Sequence, residues 1–172
     1  MNSKIPSAKE IKALYDYYKT PIGVQNHCRA VAYVADMIAK AYDDASISIN
    51  IEQIHAAAML HDFMRAKPQH AIVASKILKN KGYIDTATIV LHHDFRYIKQ
   101  KLLKGYEEQI VSYADKRVIH NQIVSINERI DDLKIRYSAK AKLIESFRKP
   151  TLELEGKIFS KLDLKPNFLQ NS

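Results

Sequence analysis

The sequence predicts an all-α fold, and three observations predict it. Four glycines and five prolines are few breaks for 172 residues, apolar side chains recur at threes and fours along most of the chain, and the composition (47% hydrophobic, 27% charged) is that of a globular protein. A chain of this length accommodates one compact domain, or one domain with a helical extension, and can bury a real core. The formal charge of +8 and a pI near 9.4 suit anionic ligands: nucleotides, phosphorylated metabolites or nucleic acid. The bases are interspersed with acids and form no long block, so nucleic acid is the less favoured of these partners. Cys28 is the single cysteine, which excludes an intrachain disulfide and a thiolate-rich zinc site. No apolar run reaches the roughly 18 residues needed to span a bilayer, and "MNSKIPSAKE" lacks the apolar core of a secretory signal, so a cytoplasmic location without membrane association is expected.

The elements follow from caps and periodicity. Ser7 and Glu10 match a capping box, predicting a helix over about 8–19 with Ile11, Leu14, Tyr15 and Tyr18 on one face. Thr20 and Pro21 open a second helix to about Ala41, and "DDASISIN" is a linker. Asn50 can cap a third helix, Pro68 can open a fourth to about Asn80, and "KGY" breaks the chain at 81–83. A short helix with Asp85 as its cap ends at "HH", and a turn or short helix precedes Gly105. From Ile110 to Phe147 apolar residues recur so regularly that one very long helix, or two with a bend, is predicted up to Pro150. A last helix over 151–162 and a disordered tail, "LKPNFLQNS", complete the expectation.

The stretch "AAAMLHDFMRAKPQH", Ala56 to His70, ends an apolar helix on two adjacent groups that are costly to desolvate. Helical spacing puts several more such groups on apolar faces. His27 lines up with Val24, Val31 and Val34, His61 follows Ala57 and Ala58, and Asp62 follows Ala58 and Met59. His70 begins the stripe of Val73, Ala74 and Ile77, His92 extends Thr88 and Ile89, and Asp115 sits between Val111 and Val118. Each alone is an ordinary hydrogen-bonded core residue; four imidazoles and two carboxylates pointing into one small domain need partners, and a shared bound cation is the economical one, with mutual His–Asp hydrogen bonding without metal as the alternative. Histidine and carboxylate without thiolate suit one or two divalent transition ions among iron, manganese, zinc, cobalt and nickel.

The ordered set resembles the HD superfamily of metal-dependent phosphohydrolases, whose pattern is a His, a His-Asp doublet, further histidines and a distal Asp, all on helices. "NHCRAVAYVADMIA" supplies His27, "AAAMLHDF" supplies His61 and Asp62, and "YADKRV" supplies Asp115, over about Pro21 to Val118. By resemblance these four form a first metal site, with His70 and His92 in the places of the extra ligands that binuclear members carry. The chain looks most like the compact bacterial branch that includes the HD-type diadenosine tetraphosphate hydrolases and the HD domains beside molybdenum-cofactor nucleotidyltransferases. It departs in reading "HDFMR", with Met64 for the usual glycine and Arg65 for the usual lysine, and no "GYP" follows "HHD".

The resemblance implies a compact HD-domain helical bundle, placed at 1–120; the region after Val118 resembles nothing specific, and its apolar periodicity predicts a helical extension over 121–165 that packs on the bundle or in a homodimer, with a tail over 166–172. The resemblance also implies hydrolysis of a phosphate ester or anhydride in a small nucleotide by metal-activated hydroxide, with Asp62 holding metal. Arg65, Lys116 and, with a weaker claim, Arg96 would steady phosphoryl oxygens. His93 is expected to assist or merely flank His92, Cys28 to be a small core residue, and His55 and His120 to stand outside the site. The alternatives are a non-catalytic HD domain binding a nucleotide or protein partner, and a protein that binds or cleaves nucleic acid.

Overall fold

The computed structural model describes residues 4–170. They form ten α-helices and one two-stranded hairpin, in the order α1 (Ala8–Tyr17), α2 (Ile22–Asp44), α3 (Ile51–Leu60), α4 (His70–Asn80), α5 (Ile84–His92), α6 (Phe95–Lys99), α7 (Tyr106–Lys116), β1 (Val118–Ile119), β2 (Gln122–Ile123), α8 (Ile126–Arg136), α9 (Ala141–Glu145) and α10 (Arg148–Phe159). The predicted all-α class is the observed one.

The first half follows its local signals. Ser7 accepts from the Glu10 amide while Glu10 reaches back to the Ser7 amide, closing the capping box of α1, and Asn50 caps α3 through the Gln53 amide. Two starts shift. α4 begins at His70, two residues after Pro68, because Gln69 adopts a left-handed φ of 51° that re-aims the chain. α5 begins at Ile84 behind Tyr83, so Asp85 lies in the first turn, where its charge meets the helix dipole, instead of capping it.

α3 is the central element, packed against α1, α2, α5 and α7. Its small residues allow this: Ala57 and Ala58 are fully buried, letting the neighbouring backbones approach, and Ile54 and Leu60 fill the space between them. Met64, in the loop after α3, also joins this core. Thr20 fixes that loop by donating to the Phe63 carbonyl at 3.0 Å.

The long helix expected from Ile110 to Phe147 is three helices and a hairpin. His120, at φ 55°, turns the chain so that Val118 pairs with Ile123, and a capping box of Ser125 with Glu128 starts α8 afresh. The threes-and-fours stripe survives across these breaks because each piece buries its own face on the same core. α10 runs through Pro150, which is tolerated because a proline in the first turn lacks an amide that had no helical partner. It packs on α6, α7 and α8. The expected disordered tail is a short 3₁₀ turn over Pro166–Gln170 whose Leu169 is fully buried; Asn171 and Ser172 lie outside the described residues.

Candidate metal centre

Two helices end in the same way, and their ends meet. α3 stops at Leu60 and His61 occupies its C-cap; α5 stops at His92 and His93 occupies its C-cap. The last carbonyls of a helix lack partners. His61 Nδ1 lies 2.8 Å from the Ala58 carbonyl and His93 Nδ1 lies 2.6 Å from the Val90 carbonyl, three residues back in each case. A carbonyl only accepts, so both Nδ1 atoms carry the proton, and both Nε2 atoms turn inward with a lone pair. His27 repeats the device with a different carbonyl: its Nδ1 donates to the His120 carbonyl at 3.0 Å, supplied by the hairpin turn. The ring of His120 is thus outside the centre while its backbone orients a member of it.

Two groups of donors result, each with its ligand atoms mutually within 4.8 Å: His27, His61 and Asp115, and Asp62, His70 and His93. Asp115 Oδ1 stands 3.2 Å from His27 Nε2 and 3.6 Å from His61 Nε2. Asp62 Oδ1 stands 3.0 Å from His70 Nε2 and 3.5 Å from His93 Nε2, while Asp62 Oδ2 is 3.7 Å from His61 Nε2. The adjacent His61 and Asp62 therefore join the two groups. Because the helix has loosened into a turn at this point, with the Arg65 amide bonded to the Asp62 carbonyl at 2.7 Å, both side chains can face inward.

His92 is the residue the sequence misplaces. Its Nδ1 sits 3.1 Å from Glu108 Oε2 and its ring lies against Tyr97, away from both groups. The buried face of α5 is Thr86, Ala87, Ile89 and Val90, and its continuation by three and four residues is His93; the stripe through Thr88 pointed to the wrong neighbour. His55 also stands apart, paired with Asp36 at 2.8 Å.

The donor set fits a cation. His61 Nε2 and Asp62 Oδ1 are buried and without a hydrogen-bond partner of good geometry. His70 Nε2 and His93 Nε2 lie 3.4 Å apart, with Arg65 Nη1 3.4 Å from the former. Ring nitrogens crowded together beside two carboxylates suit a shared positive charge. Burial opposes ionisation of Asp62, yet His61, His70 and His93 outweigh it and hold its carboxyl well below the usual range; Lys116, His27 and His61 do the same for Asp115. Burial likewise opposes a charged His61, but Cys28, Asp62 and Asp115 overcome it and raise its proton affinity well above the ordinary value. The centre draws in a positive charge, proton or metal ion.

The expected phosphate-steadying bases differ in their surroundings. Arg65 is half exposed, 3.7 Å from Asp62 Oδ1, and its pKa is raised chiefly by that carboxylate. Lys116 is buried at 3% exposure, donates to the His93 carbonyl at 2.8 Å and to Asp115, and lies 4.4 Å from the centre of the Phe95 ring. With two of three N–H groups committed to the centre's own members, it positions Asp115 and His93 and has little left for a ligand. Arg96 grips Asp94 through Nε and Nη2, both at 3.1 Å.

Above the centre opens a cleft of about 950 Å³. Its floor holds Asp62, His70, His93 and Asp115, its rim carries Arg65, Lys67, Arg96 and Lys99, and its far wall comes from α8 and α9. Sequence reasoning placed no metal or phosphate contact on that wall, because its residues (Leu133, Tyr137 and Phe147 among them) read as helix packing or, in a non-catalytic domain, as a contact surface for a partner.

A predominantly helical fold in which histidines and aspartates converge beneath a basic cleft is the arrangement of a domain able to hold metal ions. A family model described as HD domain matches residues 24–126, and the chain belongs to the HD superfamily of metal-dependent phosphohydrolases. An uncharacterized protein of Methanocaldococcus jannaschii is 25% identical over 123 residues, covering 62% of this chain and 73% of that protein. No solved structure matches the chain significantly. Among the described residues no helix is long and apolar enough to cross a membrane.

Proposed function

We propose that the chain hydrolyses a phosphate ester or anhydride of a small nucleotide with the help of two divalent transition ions, one held by His27, His61, Asp62 and Asp115 and the other by Asp62, His70 and His93. The observation that carries this reading is the pair of donor groups joined through His61 and Asp62 on the floor of a basic cleft. Bound ions would supply a water ionised near neutral pH and offset charge on a phosphoryl oxygen. The chain's own residues do the rest. The carbonyls of Ala58, Val90 and His120 fix the tautomers of His61, His93 and His27, which keeps each Nε2 free to ligate. Arg65, at the lip beside Asp62, is placed to donate two parallel hydrogen bonds to non-bridging oxygens. Lys116 holds Asp115 in register with His93.

Elemental analysis of the purified chain, with a screen of mononucleotides, dinucleoside polyphosphates and a generic phosphodiester, tests the reading. Bound transition metal and turnover of at least one of these are expected; a metal-free, inert protein after reconstitution sinks it. Within the centre, His93→Ala should lose the ion assigned to the Asp62 group while His92→Ala keeps it, and the reverse pattern would return the assignment to His92. The net charge leaves nucleic acid as a competitor, and salt separates the two. Binding of a small nucleotide should weaken only modestly between 50 and 200 mM salt, whereas a protein making several backbone phosphate contacts loses roughly a thousandfold or more over that interval.

A further inference from the structure

The bases that line the cleft are mostly spoken for. Lys116 is committed to Asp115 and the His93 carbonyl, Arg96 to Asp94, and Lys99 donates to Ser146 Oγ at 3.0 Å. Arg129, on α8, is different. Its side chain is only 13% exposed, its Nε is buried without a hydrogen-bond partner, and its one ion pair among the described residues is a loose 3.8 Å from Nη1 to Asp132 Oδ2. That same Asp132 oxygen already accepts from Arg136 Nη2. A guanidinium has five N–H donors, and leaving a mostly buried one unfilled is costly. Burial is the chief strain on its charge, and Asp115 of the metal centre is the strongest relief.

The placement gives this unfilled group a use. Arg129, Leu133 and Tyr137 follow one another at intervals of four, so they share the face of α8 that looks into the cleft, opposite Asp62 and Arg65. Leu143 and Tyr137 remain 52% and 46% exposed although they are large and apolar, which leaves a greasy surface beside a cation. α8 is firmly built: its capping box sets its start, and Arg148 ties α10 to it through Asn127 Oδ1 at 2.9 Å and Asp131 Oδ1 at 2.5 Å. Arg129 lies just past the segment that the family model matches.

We infer that Arg129 is a substrate-holding residue, its guanidinium donating to the non-bridging oxygens of a phosphoryl group seated on the metal centre, with the Leu133–Tyr137 face receiving the apolar or aromatic part of the same molecule. This rests on the phosphohydrolase reading above and extends it. The extension, which supplies no metal ligand, then sets which phosphorylated compound fits.

The test is titration of the manganese-loaded full chain with inorganic phosphate by calorimetry, comparing wild type with Arg129→Met, which keeps the bulk, and Arg129→Lys, which keeps the charge. Manganese content and thermal unfolding are measured on all three. A charged hydrogen bond to phosphate predicts at least about a tenfold weakening in Arg129→Met, partly recovered in Arg129→Lys, at unchanged metal content. Phosphate affinity within twofold of wild type in Arg129→Met overturns the assignment and leaves the phosphohydrolase reading standing. Loss of manganese in Arg129→Met overturns it too, in favour of a structural role. Failure of the loaded wild type to bind phosphate at all removes the parent reading and this inference with it.

Discussion

Asp62→Ala should strip the centre of metal and abolish hydrolysis while leaving most of the helicity in place. The carboxylate presents one oxygen to each donor set: Oδ1 faces His70 and His93, and Oδ2 faces His61. Its removal takes a ligand from each proposed ion at once, and leaves four imidazoles with a single carboxylate, Asp115, to balance any positive charge between them. Loss of a supporting partner alone typically costs ~10–100-fold in metal affinity; loss of a shared ligand should exceed that. The fold has separate supports. Asp62 lies in a turn after α3 whose packing depends on Ile54, Ala57, Ala58 and Leu60, all fully buried and untouched by the substitution. The measurements are metal content after dialysis, far-ultraviolet circular dichroism, and turnover on whichever compound the wild type hydrolyses. Wild-type turnover in Asp62→Ala would eliminate the metal mechanism.

How far such a centre can be read from sequence depends on where its residues sit. His27 lies in mid-helix, where a 3.6-residue period places it on the face of Val31 and Val34, and the structure puts it there. His61 and Asp62 were legible because an apolar run stopped on them. His93 was not, because it lies one residue past the end of α5, where orientation is decided by a hydrogen bond from its own ring to the Val90 carbonyl and no longer by helical period. A stripe taken from Thr86 and Val90 would have reached it. The same limit explains the false long helix. Ile110 to Phe147 keeps a helical rhythm through a hairpin because burial on one core imposes that rhythm on each piece separately. The break was nonetheless written in "SINE", where Ser125 and Glu128 form a capping box as plain as the one read at Ser7. Arg129 is the opposite case. Nothing local marks a lone arginine on a charged helix, and only the cleft shows that its donors are unfilled.

Arg117→Leu should produce the largest loss of stability of any single substitution considered, because this buried cation fastens the hairpin, α10 and the terminal turn to α7. Arg117 is 1% exposed at the C-cap of α7 and is held by Nε and Nη1. Nε donates to the Val124 carbonyl after the hairpin, and Nη1 lies within bonding reach of the Tyr113 hydroxyl, of Glu155 Oε2 on α10 at 3.3 Å and of the Pro166 carbonyl of the tail at 3.3 Å. Burial keeps the Tyr113 phenol protonated far above its usual range, so its O–H also donates to Glu155. One side chain thus joins α7, the hairpin, α10 and the terminal 3₁₀ turn. The shorter apolar leucine leaves the Glu155 carboxylate and two carbonyls without their cation, and breaking a buried pair in this way costs about 3–5 kcal/mol. At roughly 2–4 °C per kcal/mol for a domain of this size, Tm should fall by about 10 °C. The double variant Arg117→Leu/Glu155→Gln separates the two parts of that cost. Removing the orphaned charge should recover a substantial part of the loss, since what destabilises is the unpaired carboxylate more than the missing bond. A single variant that melts within 2 °C of wild type, or a double variant less stable than the single, would show that α10 is held by its apolar contacts through Leu154, Ile158 and Phe159 and that the arginine merely fills space.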